Sequence, residues 1–168
     1  MTRSARLSST LLLPWAVLTP AFSSAQEARA KVTCEVTENG AAASGTVSFQ
    51  LNGKEVTTGA CGKELSVVPG TYTAVIRLDG ALDGPVKQQS VTLSAAKAST
   101  VKADFATGTL EIRIASQGKR AAGMAVIRQG GQQIGTLGSG VAAHLSAGSY
   151  QVVARYRVRG VARSCVDT

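Results

Sequence analysis

The sequence predicts an all-β protein made of two tandem antiparallel β-sandwich modules. The first observation is an internal repeat: residues 32–77 align without a gap on residues 110–155, an offset of 78 positions, and 10 of the 46 aligned pairs are identical. The second is that apolar and polar residues alternate over short runs between glycine turns, which is the period of a strand. The third is that no window shows a convincing helical period. One β-fold is therefore expected twice.

The identical residues of the repeat lie at positions that determine the fold, and not at positions expected to take part in catalysis or binding. Glycine recurs where a chain needs a positive φ or a tight turn, so two copies that share glycines are expected to share turn geometry. The repeated pairs include Gly40/Gly118, Gly45/Gly123, Gly53/Gly131, Gly62/Gly140, Gly70/Gly148 and Tyr72/Tyr150.

The first module spans residues 26–106 and is predicted to contain about seven strands. Asn52-Gly53 is a strong hairpin signal between its second and third strands. Seven short strands with a turn signal every 8 to 12 residues are typical of an antiparallel sandwich of the immunoglobulin-like kind. The runs that support these strands lie at residues 32–36, 47–51, 65–67, 72–78, 90–93 and 99–105.

The second module, residues 107–168, repeats this plan and is predicted to lack its last strand. The counterpart of residues 99–105 would fall near residues 176–183, beyond Thr168. Such a module would have an unpaired edge, explained either by an altered reading frame or by an edge that accepts a partner protein's strand. The strands are expected at residues 110–114, 125–128, 132–136, 141–145, 150–158 and 161–166, with a Gly130-Gly131 turn.

The first 25 residues resemble a secretory signal peptide. Arg3 and Arg6 precede an apolar stretch at 11–18, and small residues at 23–25 supply a cleavage site before Gln26. The apolar stretch is too short for a membrane span, and no later run is long enough. No cysteine stands next to the cleavage site, as a lipid anchor would require. An exported protein, periplasmic or extracellular, is expected.

Three cysteines follow the signal peptide, and an exported chain meets an oxidising compartment. Cys34 and Cys61 belong to the same module, whereas their counterparts in the second copy are Ile112 and Ser139. This indicates a disulfide between Cys34 and Cys61 and leaves Cys165 over. Metal binding is the weaker interpretation, because the chain has one histidine and no paired cysteine spacing of the zinc type. No metal site is predicted.

A longer pattern resembles the carboxypeptidase-regulatory-like and Cna-B-type β-sandwich repeats, which have an immunoglobulin-like or transthyretin-like fold. It runs from the strand at 45–51 through Gly62 to the Val-Val-Pro-Gly-Thr-Tyr segment at 67–72, and is echoed by Leu-Ser-Ala-Gly-Ser-Tyr at 145–150. The resemblance covers nearly all of the chain after the signal peptide. It implies stalks, spacers, adhesion surfaces or accessory domains, and not catalysts.

One feature of Cna-B-type modules is not expected in this chain. Those modules often carry a lysine-to-asparagine isopeptide bond, but the only asparagines here are Asn39 and Asn52, both before glycine in turns. The cross-link is therefore not predicted.

No arrangement of catalytic residues is apparent, so the sequence predicts neither an enzyme nor a cofactor. His144 is the only histidine and is expected to face outward from a strand, without a nucleophile or an orienting carboxylate placed near it. The glycine-rich stretch at 135–140 lacks the Lys-Ser/Thr ending of a phosphate loop and is interpreted as a hairpin loop. Asp79 and Asp83 share one loop and leave a weak calcium site as an alternative. A deep cleft lined with ionisable groups would revive an enzymatic interpretation.

Positive charge is concentrated in the second module. Residues 26–105 carry eight basic and eight acidic side chains, whereas residues 106–168 carry eight basic side chains against Glu111 and Asp167, a net of about +6. Nucleic acid is not the expected partner, because export and the lack of interleaved aromatic residues argue against it. An anionic polysaccharide or envelope lipid fits better.

Three arginines alternate along one predicted strand and form the candidate binding site. Arg155, Arg157 and Arg159 would lie in one row on one face, about 7 Å apart, where they can meet phosphate, sulfate or carboxylate groups. Arg113 or Arg128 are further candidate contacts. The alternative is that these arginines only solvate an exposed face. The expected function is a non-enzymatic structural or adhesive module at or outside a bacterial cell envelope, with an accessory binding domain for an anionic polymer as the alternative.

Overall fold

The computed structural model describes residues 28–158 and 161–167, with side chains described as far as residue 156. The predicted signal peptide and Arg159 lie outside the described residues. In the part described, every regular element is a strand, which confirms the predicted all-β class. No helix among these residues is long and apolar enough to cross a membrane.

The N-terminal half of the structure contains eight strands in two sheets. One sheet is antiparallel with the order β4-β3-β6-β7, and in the other β1 pairs with β2, β5 and β8. The strands are β1 (Ala30–Glu38), β2 (Ala41–Ala42), β3 (Gly45–Leu51), β4 (Lys54–Ala60), β5 (Glu64–Val67), β6 (Gly70–Leu78), β7 (Val86–Leu93) and β8 (Ser99–Phe105).

The C-terminal half begins one residue after β8, because only Ala106 separates β8 from the next strand. Its described strands form a four-stranded antiparallel sheet, β13-β12-β15-β16, and the pairs β14-β9 and β10-β11. These strands are β9 (Thr107–Glu111), β10 (Ala115–Ser116), β11 (Lys119–Arg120), β12 (Gly123–Gln129), β13 (Gln132–Gly138), β14 (Ala142–Ser146), β15 (Gln151–Val158) and β16 (Val161–Asp167).

The repeat seen in the sequence is also a repeat of strand register. Gly45 pairs with Leu78 between β3 and β6, and Gly123 pairs with Tyr156 between β12 and β15, an offset of 78 on both strands. A β-bulge adds Val56 to β4 opposite Phe49 and Gln50, and the same bulge recurs at Ile134 in β13 opposite Ile127 and Arg128. Equivalent residues therefore have equivalent backbone partners in the two halves.

One strand pair differs from the antiparallel arrangement that the sequence predicts. β1 and β8 run parallel, with Val32 opposite Ser99 and Glu38 opposite Phe105. Parallel neighbours need a long crossover between them. The six strands between β1 and β8 supply that crossover, so the prediction was wrong for this pair because it considered only short hairpin connections.

The repeated glycines serve two different purposes. Gly62 has φ +84°, a conformation that favours glycine. Gly45 does not need a positive φ; a Cβ there would lie 2.6 Å from the carbonyl oxygen of Arg77, and a Cβ at Gly123 would lie 2.7 Å from that of Arg155. Gly45 and Gly123 are therefore required because the strands pack closely there, and not because the chain turns.

Each half has its own apolar core. In the N-terminal half, Phe49 and Ile76 are fully buried between the sheets, and Cys34 is bonded to Cys61 at 2.02 Å, which is the pairing proposed from the sequence. In the C-terminal half the described core is smaller. It consists of Ala125, Ile127, Leu137 and Leu145, with half-buried residues packed around them.

Candidate functional site

The outer face of the four-stranded C-terminal sheet carries two of the predicted arginines. In β12, Ala125 and Ile127 are buried, so the alternation of a strand turns Met124 and Arg128 outward. Arg155 in β15 is exposed and lies opposite Met124. Arg128 and Arg155 therefore share this face, roughly 13 Å apart along the strands at about 3.4 Å per residue.

A shallow, mainly apolar groove lies on the same face, with a volume of about 770 Å³. Met124 and Tyr156 line it together with Arg155, and Met124 is 59% exposed. Arg128 is half-buried, and its buried Nε atom has no hydrogen-bond partner among the described residues. The face thus combines exposed apolar surface with two guanidinium groups.

The other predicted arginines do not all lie on this outer face of the C-terminal sheet. Arg113 lies between β9 and β10, where its Nε and Nη2 donate to Glu111 at 2.7 and 3.1 Å. This pairing lowers the pKa of Glu111 and raises that of Arg113. The backbone of Arg157 pairs with Ala162, but its side chain, like all of Arg159, lies outside the described part of the chain.

His144 belongs to a cluster that joins the two halves. Its Nδ1 lies 2.8 Å from Glu38 Oε1, and the Thr107 hydroxyl donates to the same oxygen. Asn39 Nδ2 donates to the Thr107 carbonyl at 3.1 Å, and Thr107 N donates to Asn39 Oδ1 at 3.0 Å. The hydrogen bond from Thr107, and then that with His144, hold the pKa of Glu38 below its usual value. His144 is half exposed, as predicted, but the structure places a carboxylate beside it, that of Glu38, which the sequence did not.

A second cluster joins the loop between β6 and β7 to the C-terminal half. Asp83 Oδ2 accepts a hydrogen bond from Ser146 N at 3.1 Å and lies 3.1 Å from the Tyr150 hydroxyl. The same hydroxyl is 2.8 Å from the Ser146 carbonyl oxygen, so its one hydrogen is shared between two acceptors. Burial, and then Asp83, raise the pKa of Tyr150.

Leu82 completes this second contact. Its side chain packs against the C-terminal core, and its backbone N donates to the His144 carbonyl at 2.8 Å. A Cβ at Gly135 would lie 2.4 Å from Leu82 Cδ1, so this glycine makes room for the leucine. The roles of Leu82 and Asp83 were not predicted from the sequence. The signal that could have found them was an apolar residue within a loop of aspartate, glycine and proline.

The structure gives Asp83 a use other than calcium binding. Its carboxylate is directed to Ser146 and Tyr150, while Asp79 in the same loop is exposed. Over residues 28–158 and 161–167, no group of three or more histidine, cysteine, aspartate or glutamate side chains could hold a metal ion.

The chain matches no protein-family model, no curated protein and no solved structure in three comparisons. The resemblance to carboxypeptidase-regulatory-like and Cna-B-type repeats therefore stays a prediction.

Proposed function

We propose that the chain is a non-enzymatic, exported bacterial protein of two immunoglobulin-like β-sandwich modules, residues 26–106 and 107–168, and that it acts as a structural or adhesive element at or outside the cell envelope. The observation that carries this proposal is the junction between the halves. A structural element has to keep its surfaces in a defined relation to each other, and the two adjoining clusters of contacts at this junction are suited to that purpose.

The two clusters lie side by side and form one continuous contact. Thr107 of the first cluster is the cross-strand partner of Ser146 of the second, and Leu82 N donates to the carbonyl of His144. Ala106 is the only residue between β8 and β9, so the covalent connection is also short. Two modules joined by a continuous set of contacts and by a one-residue linker behave as one stiff body.

The stiffness of this body is testable by NMR relaxation of the backbone amides. We expect the two halves of the unaltered chain to tumble with one rotational correlation time. In Asp83→Ala, which removes the contacts to Ser146 and Tyr150, the halves should show separate and shorter times. Asp79→Ala is the matched control, because Asp79 is in the same loop and exposed. Separate correlation times in the unaltered chain would contradict the proposed structural role.

A second function, binding of an anionic polysaccharide or envelope lipid, is favoured by the face that holds Arg128 and Arg155. Arginine meets phosphate and carboxylate groups with two parallel hydrogen bonds. The Arg128 side chain is half-buried on this face, and no described residue pairs with its Nε atom. The adjacent apolar groove would contact the less polar part of a sugar or lipid.

Co-sedimentation with anionic vesicles and with purified acidic polysaccharide tests this second function. We expect binding that weakens steeply as salt is raised, and that is lost in the double variant Arg128→Ser with Arg155→Ser. Arg113→Ser serves as the control for the single variants Arg128→Ser and Arg155→Ser, since each removes one charge and Arg113 is already paired with Glu111. A loss in the control equal to that in either single variant would mean that net charge, and not this face, attracts the ligand.

A further inference from the structure

A groove of about 460 Å³ opens beside β9 in the C-terminal half. Its walls are apolar and include Leu110, Leu145, Tyr150 and Val152. In the described part of the chain, β9 pairs with β14 on one side only. The groove therefore combines an apolar floor with a strand edge that has room for another strand.

The N-terminal half shows what occupies the equivalent place. The counterparts of Leu110, Tyr150 and Val152 are Val32, Tyr72 and Ala74, which are 1, 5 and 0% exposed. They are covered by Leu93 at the end of β7 and by alternate residues of β8, and all belong to one core cluster. The covering residues are Leu93, Val101, Ala103 and Phe105.

The outward side of β8 is matched to β1 by a ladder of polar contacts. Thr33 and Thr100 hydroxyls are 3.1 Å apart, and Lys102 Nζ lies 2.7 Å from Glu35 Oε2. These pairs follow the parallel register, in which Glu35 is opposite Lys102. Burial on one side and cross-strand polar pairs on the other fix both the direction and the register of β8.

The same position in the C-terminal half has the opposite charge. The counterpart of Glu35 is Arg113, whose side chain is 72% exposed at this edge and donates to Glu111, the counterpart of Thr33. A strand that lay beside β9 in the register of β8 would set its equivalent of Lys102 opposite Arg113, where an acidic residue would share the guanidinium with Glu111 and a lysine would be repelled.

The two edges also differ in how they are protected. The outer edge of β8 is covered by side chains from β7, because Lys87 Nζ donates to the Asp104 carbonyl and Gln89 Nε2 to the Lys102 carbonyl. Covering of this kind keeps an edge strand from pairing with another chain. No described side chain makes a comparable hydrogen bond to the backbone of residues 109–113 on the groove side.

We infer that the β9 edge and its groove form an acceptor site for an extended strand of a partner polypeptide. The strand binds parallel to residues 110–116, with alternate apolar side chains facing the core, the first of them opposite Ile112 next to the groove, and with an acidic side chain opposite Arg113. Main-chain hydrogen bonds would supply affinity and the alternate pockets specificity, as in other cases of strand addition. This goes beyond the structural role proposed above and does not depend on it.

The test uses a peptide with the sequence of residues 97–106, which contains β8, and a second peptide with Lys102→Glu. We expect the Lys102→Glu peptide to bind the purified chain about 2- to 5-fold more tightly, the range of an exposed ion pair. A third peptide with Val101→Ser and Phe105→Ser should bind more than about tenfold more weakly, because it loses two buried apolar side chains. Affinities are measured by titration calorimetry.

Variants of the chain test the register. Arg113→Glu should reverse the preference, so that the unchanged peptide with Lys102 binds more tightly than the Lys102→Glu peptide. Arg155→Glu is the matched control, because it reverses the same charge on another face and should leave the order of the two peptides unchanged. Both positions are exposed, so neither variant is expected to disturb folding.

Amide NMR locates the bound peptide. Shifts in β9 and around Leu145 and Val152, with new protection from hydrogen exchange at the amides of Glu111 and Arg113, support the proposal, because the Ile114 amide is already bonded to Ser139 on the other side. Shifts confined to other surfaces, or no binding by any peptide, overturn it. So does a peptide-sensitive dimer in light scattering, since a second copy of the chain would then be the occupant.

Discussion

In the N-terminal half β1 is continuous over Ala30–Glu38, whereas its counterpart in the C-terminal half is a strand only at Thr107–Glu111 and Ala115–Ser116. The gap falls at residues 112–114, Ile-Arg-Ile, although isoleucine favours strands. In β1 the equivalent residues pair with β8 alone. The comparison teaches that a neighbouring strand, and not local propensity, decides whether this segment is a strand.

The cores of the halves differ for the same reason. Leu93 and the inward residues of β8 close the N-terminal core, and Tyr72 is 5% exposed there. Around the C-terminal core, Leu110, Tyr150 and Val152 are only half-buried. Since apolar burial is the main stabilising contribution in folding, the N-terminal half is expected to be the more stable one.

The largest expected effects come from truncating matched core residues. Phe49 and Ile127 are counterparts and both are fully buried. Phe49→Ala should lower the free energy of unfolding by about 3–5 kcal/mol, and Ile127→Ala by about 2–3 kcal/mol, because the C-terminal core is less completely covered. Urea unfolding measures both, with exposed Val56→Ala as a control within about 0.5 kcal/mol. A larger loss in Ile127→Ala would contradict the proposed order of stability.

The disulfide is a second difference between the halves, and it can be removed or transferred. Replacing Cys34 and Cys61 by alanine should cost about 3–4 kcal/mol, as expected for a bond that closes a loop with a separation of 27 residues.

The reverse experiment introduces cysteines at Ile112 and Ser139. Gly140 N donates to the Ile112 carbonyl as Gly62 N donates to that of Cys34, at 2.7 Å in both halves. Ile112→Cys with Ser139→Cys is therefore expected to form a disulfide, detected by mass spectrometry, and to raise the stability of the C-terminal half. Free thiols at both positions after oxidation would show that the backbones there are not equivalent.

Substitution of glycine by alanine tests whether close packing between strands is required equally in both halves. Gly45→Ala and Gly123→Ala should each cost about 1–3 kcal/mol, because the new methyl group meets a backbone oxygen that cannot move freely. Gly108→Ala is the matched control, since nothing lies within 4 Å of a Cβ there. Thermal unfolding measures the differences, and a loss at Gly45 alone would indicate that the C-terminal half repacks.

The smallest expected effect is a dependence on pH at the junction. The pKa of Glu38 is lowered in the folded protein, so its contribution is present above the unfolded pKa of about 4.3 and is lost as pH falls through the lower folded pKa. Glu38→Gln should therefore destabilise the protein at pH 6 and have little effect near pH 3. Thermal melting curves of the variant and the unaltered protein between pH 3 and pH 6 give the difference in melting temperature. A difference that grows as the pH is lowered would contradict a lowered pKa of Glu38 in the folded protein.

Much of the local structure could be predicted from the sequence, and the long-range contacts could not. Alternation located the strands, and Asn52-Gly53 located the turn between β3 and β4. The prediction for residues 110–114 was only partly right, because β9 covers Thr107–Glu111. The outward arginines of β12 and β15 followed from the period of a strand, but that period does not separate Arg113 from them. Its pairing with Glu111, two residues earlier in the chain, is a local contact and was not predicted.

The sequence by itself determined that the chain is all-β, that one pattern occurs twice, and that glycine recurs at matching positions, because strand period and backbone conformation depend on residues near each other in the chain. Only the tertiary structure decided the parallel pairing of β1 with β8, the junction, and the position of the predicted unpaired edge at β9. Those features depend on contacts such as Thr33 with Thr100 and Glu38 with His144, which are separated by 67 and 106 positions. No local pattern specifies such partners, since they are brought together only when the sheets pack.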